Sequence, residues 1–260
     1  LPHPQRIVCL SAEAADICHR IGAWPRVVGV SAFFDQSNCE EPRPVVSGFS
    51  SAPISRILAL EPDLVVTFSD VQAELAAELI REGCPVLATN QRTLAEIENT
   101  IRLLGRVVDH AGEAEALALA FRQELETLRA GPARRPRVYF EECPEPMVYG
   151  ITWVSELVEL AGGEDVFARR RHQAATGRTV TGEEVIAAAP ELILASWCGQ
   201  PVDFETIRGR EGWENIPAVK NDAVFEIESR HILQPGPALL KGARQLAAMV
   251  ANWTSETSSF

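Results

Sequence analysis

Two stretches of this chain are written to one pattern, and that repetition constrains the fold more than any single motif. In the first, Ile54-Ser55-Arg56-Ile57-Leu58-Ala59-Leu60-Glu61-Pro62-Asp63-Leu64-Val65-Val66-Thr67 sets a short helix, a proline, an acid, a leucine and a β-branched strand in order. In the second, Gly182-Glu183-Glu184-Val185-Ile186-Ala187-Ala188-Ala189-Pro190-Glu191-Leu192-Ile193-Leu194-Ala195 does the same. Each half also opens with a strand (6–10; 137–141) followed by a helix that ends in glycine (Gly22; Gly162-Gly163). Two matches in the same order point to an internal repeat. Strands alternating with helices imply parallel sheets covered on both faces. The fold class expected is α/β, with two Rossmann-like lobes.

Between the halves lies a long helical pattern. Thr93 and Glu96 form a capping box, and Leu94, Ile97, Ile101, Leu104, Val108, Ala111, Ala114, Ala118, Phe121, Leu125 and Leu128 recur at helical spacing. Gly131-Pro132 is the stop signal. About 36 helical residues would make a rod of roughly 54 Å. Gly105 and Gly112 are where it would break or kink. The expected organisation is an N-terminal lobe over 1–92, an inter-lobe helix over 93–130 and a C-terminal lobe over 131–260.

The remaining elements follow from the same cues. Strands are expected at 27–31, 64–68, 86–88, 192–196 and 224–227. Helices are expected at 11–21, 53–60, 73–82, 153–161, 183–189 and 237–253, with a helical turn at 203–207. The segment 34–44 reads as a loop, 47–51 as a small-residue turn, and the polar tail 254–260 as frayed.

A net charge of −12 argues against a nucleic-acid partner, which needs clustered Lys and Arg. The basic run Arg169-Arg170-Arg171 reads as a solvated loop. No apolar run is long enough to span a membrane. The chain starts at Leu1 rather than Met, and removal of a signal peptide would explain this. None of the six cysteines forms a C-x-x-C pair, so no zinc knuckle is expected. Cys9 and Cys18 read as small buried hydrophobes.

Ligands of open α/β sheets sit outside the carboxyl ends of the strands. In the first lobe those positions are Ser11-Ala12-Glu13, Phe33-Phe34-Asp35, Phe49 and Phe68-Ser69-Asp70. In the second they are Glu141-Glu142-Cys143, Tyr149 through Trp153, Trp197-Cys198 and Arg230-His231. They are rich in rings, although only 7% of the chain is aromatic. That pattern suggests a wide apolar pocket between the lobes with a few polar groups. No catalytic machine is legible: no G-x-S-x-G elbow, dinucleotide fingerprint or Walker loop. Glu141 and Glu142 are adjacent on a strand and point to opposite faces, so they form no acid/base pair. His3, His19, His110 and His172 read as solvated; His231 is kept as a ligand contact. No catalytic residue and no metal site is assigned.

These segments resemble the helical-backbone substrate-binding proteins of ABC importers, which capture cobalamin, haem and iron–siderophore chelates. Arg6-Ile7-Val8-Cys9-Leu10-Ser11, Val27-Val28-Gly29-Val30-Ser31, 57–66 and Glu159-Leu160-Ala161-Gly162-Gly163-Glu164-Asp165-Val166-Phe167 carry the likeness, which spans nearly the whole chain. It is nearest to the cobalamin-binding branch. There, rings from three loops of the first lobe clamp the corrin, and those loops match Phe33, Phe49 and Phe68. A pocket tryptophan of that branch falls near Gly177-Arg178 and is absent, leaving Trp153 or Trp197 to replace it. A contact region matches Ser229-Arg230-His231.

The resemblance therefore implies a non-enzymatic protein that captures a corrinoid in the cleft between its lobes. Arg178, Arg230 and Glu142 would set orientation, with Glu13 and Tyr149 also on the ligand side. A haem would instead call on Tyr149, His231 or a cysteine as iron ligand, and a ferric siderophore on the arginines. The alternative from another class is a doubly wound α/β enzyme. The implied partner is an ABC importer permease dimer, met through one acid on each lobe. Glu183 matches in the second lobe, but the first has Ser55 at that place. A monomer is expected, in the periplasm or another extracytoplasmic compartment, with a cytoplasmic relative as the alternative.

Overall fold

The computed structural model describes residues 3–129, 134–170 and 174–257. The Gly131-Pro132 stop, Arg171, His172, the Leu1 terminus and the last three tail residues lie outside them. The chain divides into two compact units: Leu1–Arg122 with Pro235–Pro237, and Gln123–Gln234 with Ala238–Phe260.

The first unit is a doubly wound parallel sheet. Its strands are β1 (Ile7–Cys9), β2 (Val27–Ser31), β3 (Val45–Ser47), β4 (Leu64–Phe68) and β5 (Val86–Thr89). They stand in the order β3-β2-β1-β4-β5, all parallel. The build direction therefore reverses between β1 and β4. Helices α1 (Ala12–Arg20), α2 (Ile54–Leu58) and α3 (Ala73–Arg81) connect them. Val8, Leu10, Val46, Ile57, Val65, Leu75 and Leu79 form one buried cluster between sheet and helices. Strand β3 was not legible: Val45-Val46 is too short an apolar run to separate from the loop before it.

The second unit has a mixed sheet. Strands β6 (Arg137–Pro144) and β7 (Met147–Tyr149) form an antiparallel hairpin. The small β8 (Glu164–Asp165) and β9 (Leu192–Ala195) pair with β6 in parallel, and β10 (Val224–Glu226) lies beside β9. The β6–β7 hairpin departs from the all-parallel expectation. Its helices are α6 (Thr152–Leu160), α7 (Gly182–Ala188), α8 (Phe204–Arg208), α9 (Pro217–Lys220), α10 (Ser229–Ile232) and α11 (Leu239–Thr257). Helix α11 reaches Thr257, inside the tail expected to fray, and starts two residues later than expected because Pro235–Pro237 packs with the first unit.

The repeat has a backbone reason. Glu61 and Ala189, each just before the proline, both take left-handed φ angles of 45° and 43°. The acid after each proline then caps the start of a neighbouring strand. Asp63 accepts from the Arg6 N–H at 2.8 Å and the Gln5 N–H at 2.7 Å; Glu191 accepts from the Arg137 N–H at 3.1 Å. The Pro-acid-Leu signature is thus the joint that sets a helix-to-strand turn against β1 in one unit and β6 in the other.

The stretch 93–129 is not one rod. It forms α4 (Leu94–Val107) and α5 (Ala111–Thr127). The capping box at Thr93 and Glu96 is present. Asp109 at φ 59° ends α4, and α5 folds back along it. Arg102 holds Glu115 through two bonds of 2.7 and 3.0 Å, and Arg122 reaches Glu98, twenty-four residues earlier. Burial opposes ionisation of Glu98, but hydrogen bonds from Arg122 and Arg102 hold its carboxyl below the usual range. The first division between the units falls within α5, at Arg122/Gln123, and the chain returns to the first unit for Pro235–Pro237.

Candidate functional site

At the carboxyl end of the first sheet, three phenylalanines come from three loops. Phe33 follows β2, Phe49 follows β3, and Phe68 ends β4. Phe33 and Phe49 are 41% and 50% exposed, and their rings meet edge to face at 5.8 Å. Leaving two adjacent rings about half in water costs about 1 kcal/mol apiece relative to full burial. Phe68 is half-buried, with the Arg92 guanidinium 5.6 Å over its ring. Arg92 is itself fixed by Asp70 at 2.8 Å. Sequence reasoning placed the three rings at this edge but missed Arg92 and Gln72. A single polar residue in a helix-opening turn carries no motif to flag it.

Glu13 is not on the open surface. It lies in the first turn of α1, 5% exposed, with Oε1 lacking a hydrogen-bond partner among the described residues. A Cβ on Gly236 would stand 2.6 Å from its Cβ, so only glycine lets Pro235–Pro237 pass there. Burial pushes the Glu13 carboxyl from 4.5 up to about 7. Such a group holds its proton more tightly folded than unfolded. Its stabilising effect is full below about pH 4.5 and lost as pH rises through about 7. Glu13→Gln should therefore gain stability over the wild type by on the order of 2–3 kcal/mol between pH 5 and pH 8. Urea unfolding at the two pH values checks this; an unchanged difference would mean the carboxyl is solvated.

The second unit brings its candidates together mostly as a supporting framework. Arg178 is 2% exposed, paired with Glu142 at 2.6 and 3.2 Å and bonded to the Tyr149 carbonyl. Tyr149 is buried and its hydroxyl donates to the Arg170 carbonyl at 2.7 Å. Burial raises its pKa, outweighing the nearby Arg178 and Arg170 charges. Trp153 donates to the Ile232 carbonyl at 2.9 Å, and Trp197 to Glu141 Oε1 at 2.9 Å. Both indoles are buried. Glu141, fully buried, also accepts from Tyr139 at 3.1 Å and from Arg210 at 2.5 and 3.0 Å. Glu141 and Glu142 do point to separate partners, as alternation on a strand requires.

Arg230 is the exposed candidate of this unit, paired with Glu228 at 2.6 Å; buried His231 lies 3.3 Å from the same carboxylate. Both sit on α10, which was not expected. Cys198 bonds through its N–H to the Glu142 carbonyl at 3.3 Å. Burial, then the neighbouring Glu142 and Cys143, raise its thiol pKa. Cys9 and Cys18 are buried free thiols. Among the described residues, no three His, Cys, Asp or Glu side chains converge where a metal ion could sit, and no helix is long and apolar enough to cross a membrane. Glu183 is exposed in the first turn of α7, and Ser55 is exposed at the same place in α2.

Comparison with known proteins bears on what these two faces are for. The chain is 28% identical over 242 residues to the vitamin B12-binding protein of Vibrio parahaemolyticus, covering 91% of this chain and 86% of the relative. Among solved structures it superposes on the periplasmic vitamin B12 binding protein BtuF of Vibrio cholerae, with a TM-score of 0.76 and 23% identity, covering 96% and 98% of the two chains. It also superposes on the periplasmic heme-binding protein RhuT of Roseiflexus sp. RS-1, with a TM-score of 0.80 and 20% identity, covering 96% and 99%. Both structural likenesses fall below the identity at which ligand follows fold. The periplasmic binding protein family model matches residues 7–231, from β1 through α10, and the chain belongs to that family.

Proposed function

We propose that this protein captures a corrinoid outside the cytoplasm and delivers it to an ABC importer permease. Its family is one of binding proteins, not enzymes. The observation that carries the corrinoid reading is the exposed Phe33–Phe49 pair beside Phe68 at the carboxyl edge of the first sheet. A corrin offers a broad apolar face, and offset or edge-on ring contacts suit it. The vitamin B12-binding relative supports the same choice. Arg230 is the exposed cation that would meet polar substituents of the ligand.

A haem reading has the RhuT likeness in its favour. It asks for an iron ligand, however: Tyr149 and Cys198 are both biased towards their protonated forms, and His231 is buried 3.3 Å from the Glu228 carboxylate. A phenol or thiol is a poorer ligand than its anion. A corrinoid brings its cobalt already ligated and needs no such residue.

Calorimetric titration with cyanocobalamin, haemin and a ferric siderophore separates these readings. Micromolar binding of cyanocobalamin is expected. Binding of haemin or the siderophore without cyanocobalamin would replace the corrinoid reading. Phe49→Ala should weaken corrinoid binding by about 1–3 kcal/mol, as loss of a central aromatic anchor does. An unchanged Kd would assign Phe49 to loop packing.

Docking is expected to be asymmetric. Glu183 supplies a charge at the second residue of α7, whereas Ser55 at the second residue of α2 supplies none. Paired charges in an interface contribute several kcal/mol in favourable cases, whereas a lone rim charge acts mostly on the association rate. Ser55→Glu should therefore strengthen binding to the cognate importer, most at low salt, and Glu183→Ala should weaken it. Tight wild-type binding that Ser55→Glu leaves unaltered would place the first contact elsewhere, for example at exposed Glu61.

A further inference from the structure

The first sheet changes its build direction between β1 and β4, and the side-chain amide of Gln72 sits at that point. Its Nε2 donates to the Leu10 carbonyl behind β1 at 2.9 Å and to the Phe49 carbonyl behind β3 at 2.8 Å. Its Oε1 accepts from the Phe68 N–H at the end of β4 at 2.9 Å. The residue is buried. A carboxamide has two donors and one carbonyl acceptor. Here the amide nitrogen and the carbonyl both serve main-chain groups, at the ends of three separate strands.

We propose that Gln72 is the positioning residue of the aromatic ligand surface, holding the Phe49 and Phe68 loops at a fixed spacing with their rings presented outward. This rests on the reading that those rings carry the ligand. Strand β3 is separated from β4 by β2 and β1, so no ladder bond couples Phe49 to Phe68 directly. The Phe49 loop closes on itself through the Gly48 N–H to Ser51 carbonyl bond at 2.9 Å. It is otherwise a run of small, exposed residues, Ser50 and Ser51 among them. Exposed rings on such a loop fold onto nearby apolar surface unless the backbone holds them away. Ordering them only on binding lowers affinity. The Gln72 amide removes that loss beforehand.

No other side chain meets the same three demands. Methionine has similar reach but offers the Leu10 and Phe49 carbonyls no donor and the Phe68 N–H no acceptor. Glutamate keeps the bond to Phe68 and loses both donations. Asparagine is one methylene short. The Arg92 guanidinium over Phe68 steadies that ring but touches neither of the other loops in the described hydrogen bonds.

The test uses the full chain, with Gln72→Met, Gln72→Glu, Phe49→Ala and the double variant Phe49→Ala with Gln72→Met. Deuterium exchange of the ligand-free protein comes first and needs no ligand. Gln72→Met should speed exchange at least about tenfold at both the Gly48 and Phe68 amides. Gln72→Glu should speed it at Gly48 while Phe68 stays protected. Unchanged exchange at Gly48 in both variants overturns the proposal.

Cyanocobalamin titration follows. Gln72→Met should weaken binding about tenfold in the wild-type background but about twofold or less when Phe49 is already Ala. Equal losses in both backgrounds would mean that Gln72 only supports the fold, and would overturn its positioning role. If wild-type protein binds haemin instead of cyanocobalamin, the corrinoid reading fails. The same cycle run with haemin, alongside the exchange result, still decides the role of Gln72. Should Gln72→Met not fold, Gln72→Glu carries both measurements.

Discussion

Replacing Glu141 by alanine is expected to destabilise the second unit by about 3–5 kcal/mol, the cost of breaking a buried ion pair by removing one partner. Glu141 is fully buried on β6 and accepts four bonds, from Tyr139, from Trp197 and twice from Arg210. Alanine would leave a guanidinium, an indole N–H and a phenol facing a vacancy. Arg210 also stacks over Trp213 at 4.5 Å, and its side chain is only 16% exposed. Glu141→Gln retains the volume and one acceptor and should lose less. Arg210→Leu combined with Glu141→Leu should lose less than the sum of the single changes, because no charge is stranded.

Tryptophan fluorescence during urea unfolding reads this well. Of the five tryptophans, Trp153, Trp197, Trp213 and Trp253 belong to the second unit and only Trp24 to the first. A loss under about 1 kcal/mol for Glu141→Ala would mean that water already solvates the network.

Gly105→Val should destabilise the first unit by about 3–4 kcal/mol, at or beyond the upper end of ordinary overpacking. A Cβ at Gly105 would lie 2.1 Å from the Ala114 Cβ and 3.0 Å from the His110 carbonyl oxygen. Both belong to the turn and first turns of α5, which fold back on α4. Glycine in a helix gives up roughly 1 kcal/mol of propensity relative to alanine. The clash exceeds that gain, so even Gly105→Ala should destabilise. Gly112 is the internal contrast: nothing lies within 4 Å of its Cβ position. Gly112→Ala should stabilise by about 0.5–1 kcal/mol. Opposite signs for the two substitutions identify the helical hairpin; equal stabilisation by both would restore a straight rod.

Those two glycines show where reading the chain as a string stops. Both were legible as weak points of one long helix. Apolar spacing at 3.6 residues is local, and it continues unchanged from α4 into α5 because both helices bury a face. Nothing local says that Asp109 takes a left-handed conformation or that Glu98 meets Arg122. The same limit applies at the site. Phe33, Phe49 and Phe68 could be placed at the carboxyl edge because each follows a strand, and strand order in a doubly wound sheet brings those ends together. Gln72 could not, because its partners lie up to sixty-two residues away.

The sequence by itself determined the α/β class, the repeated halves, the Thr93 capping box and the ring-bearing strand ends. These are set by periodicity, caps and turn residues within a few positions of one another. Only the tertiary structure decided that α4 and α5 fold together, that β6 pairs with antiparallel β7, that Trp153 and Trp197 are buried with their indole N–H groups bonded to the protein itself, and that Arg178 is buried against Glu142 and the Tyr149 carbonyl. It also turned the Pro-acid-Leu repeat from a pattern into a joint, with Asp63 and Glu191 each capping a strand far away in sequence. Burial and pairing are properties of neighbours across the chain, and a carboxylate or a ring takes its role from them.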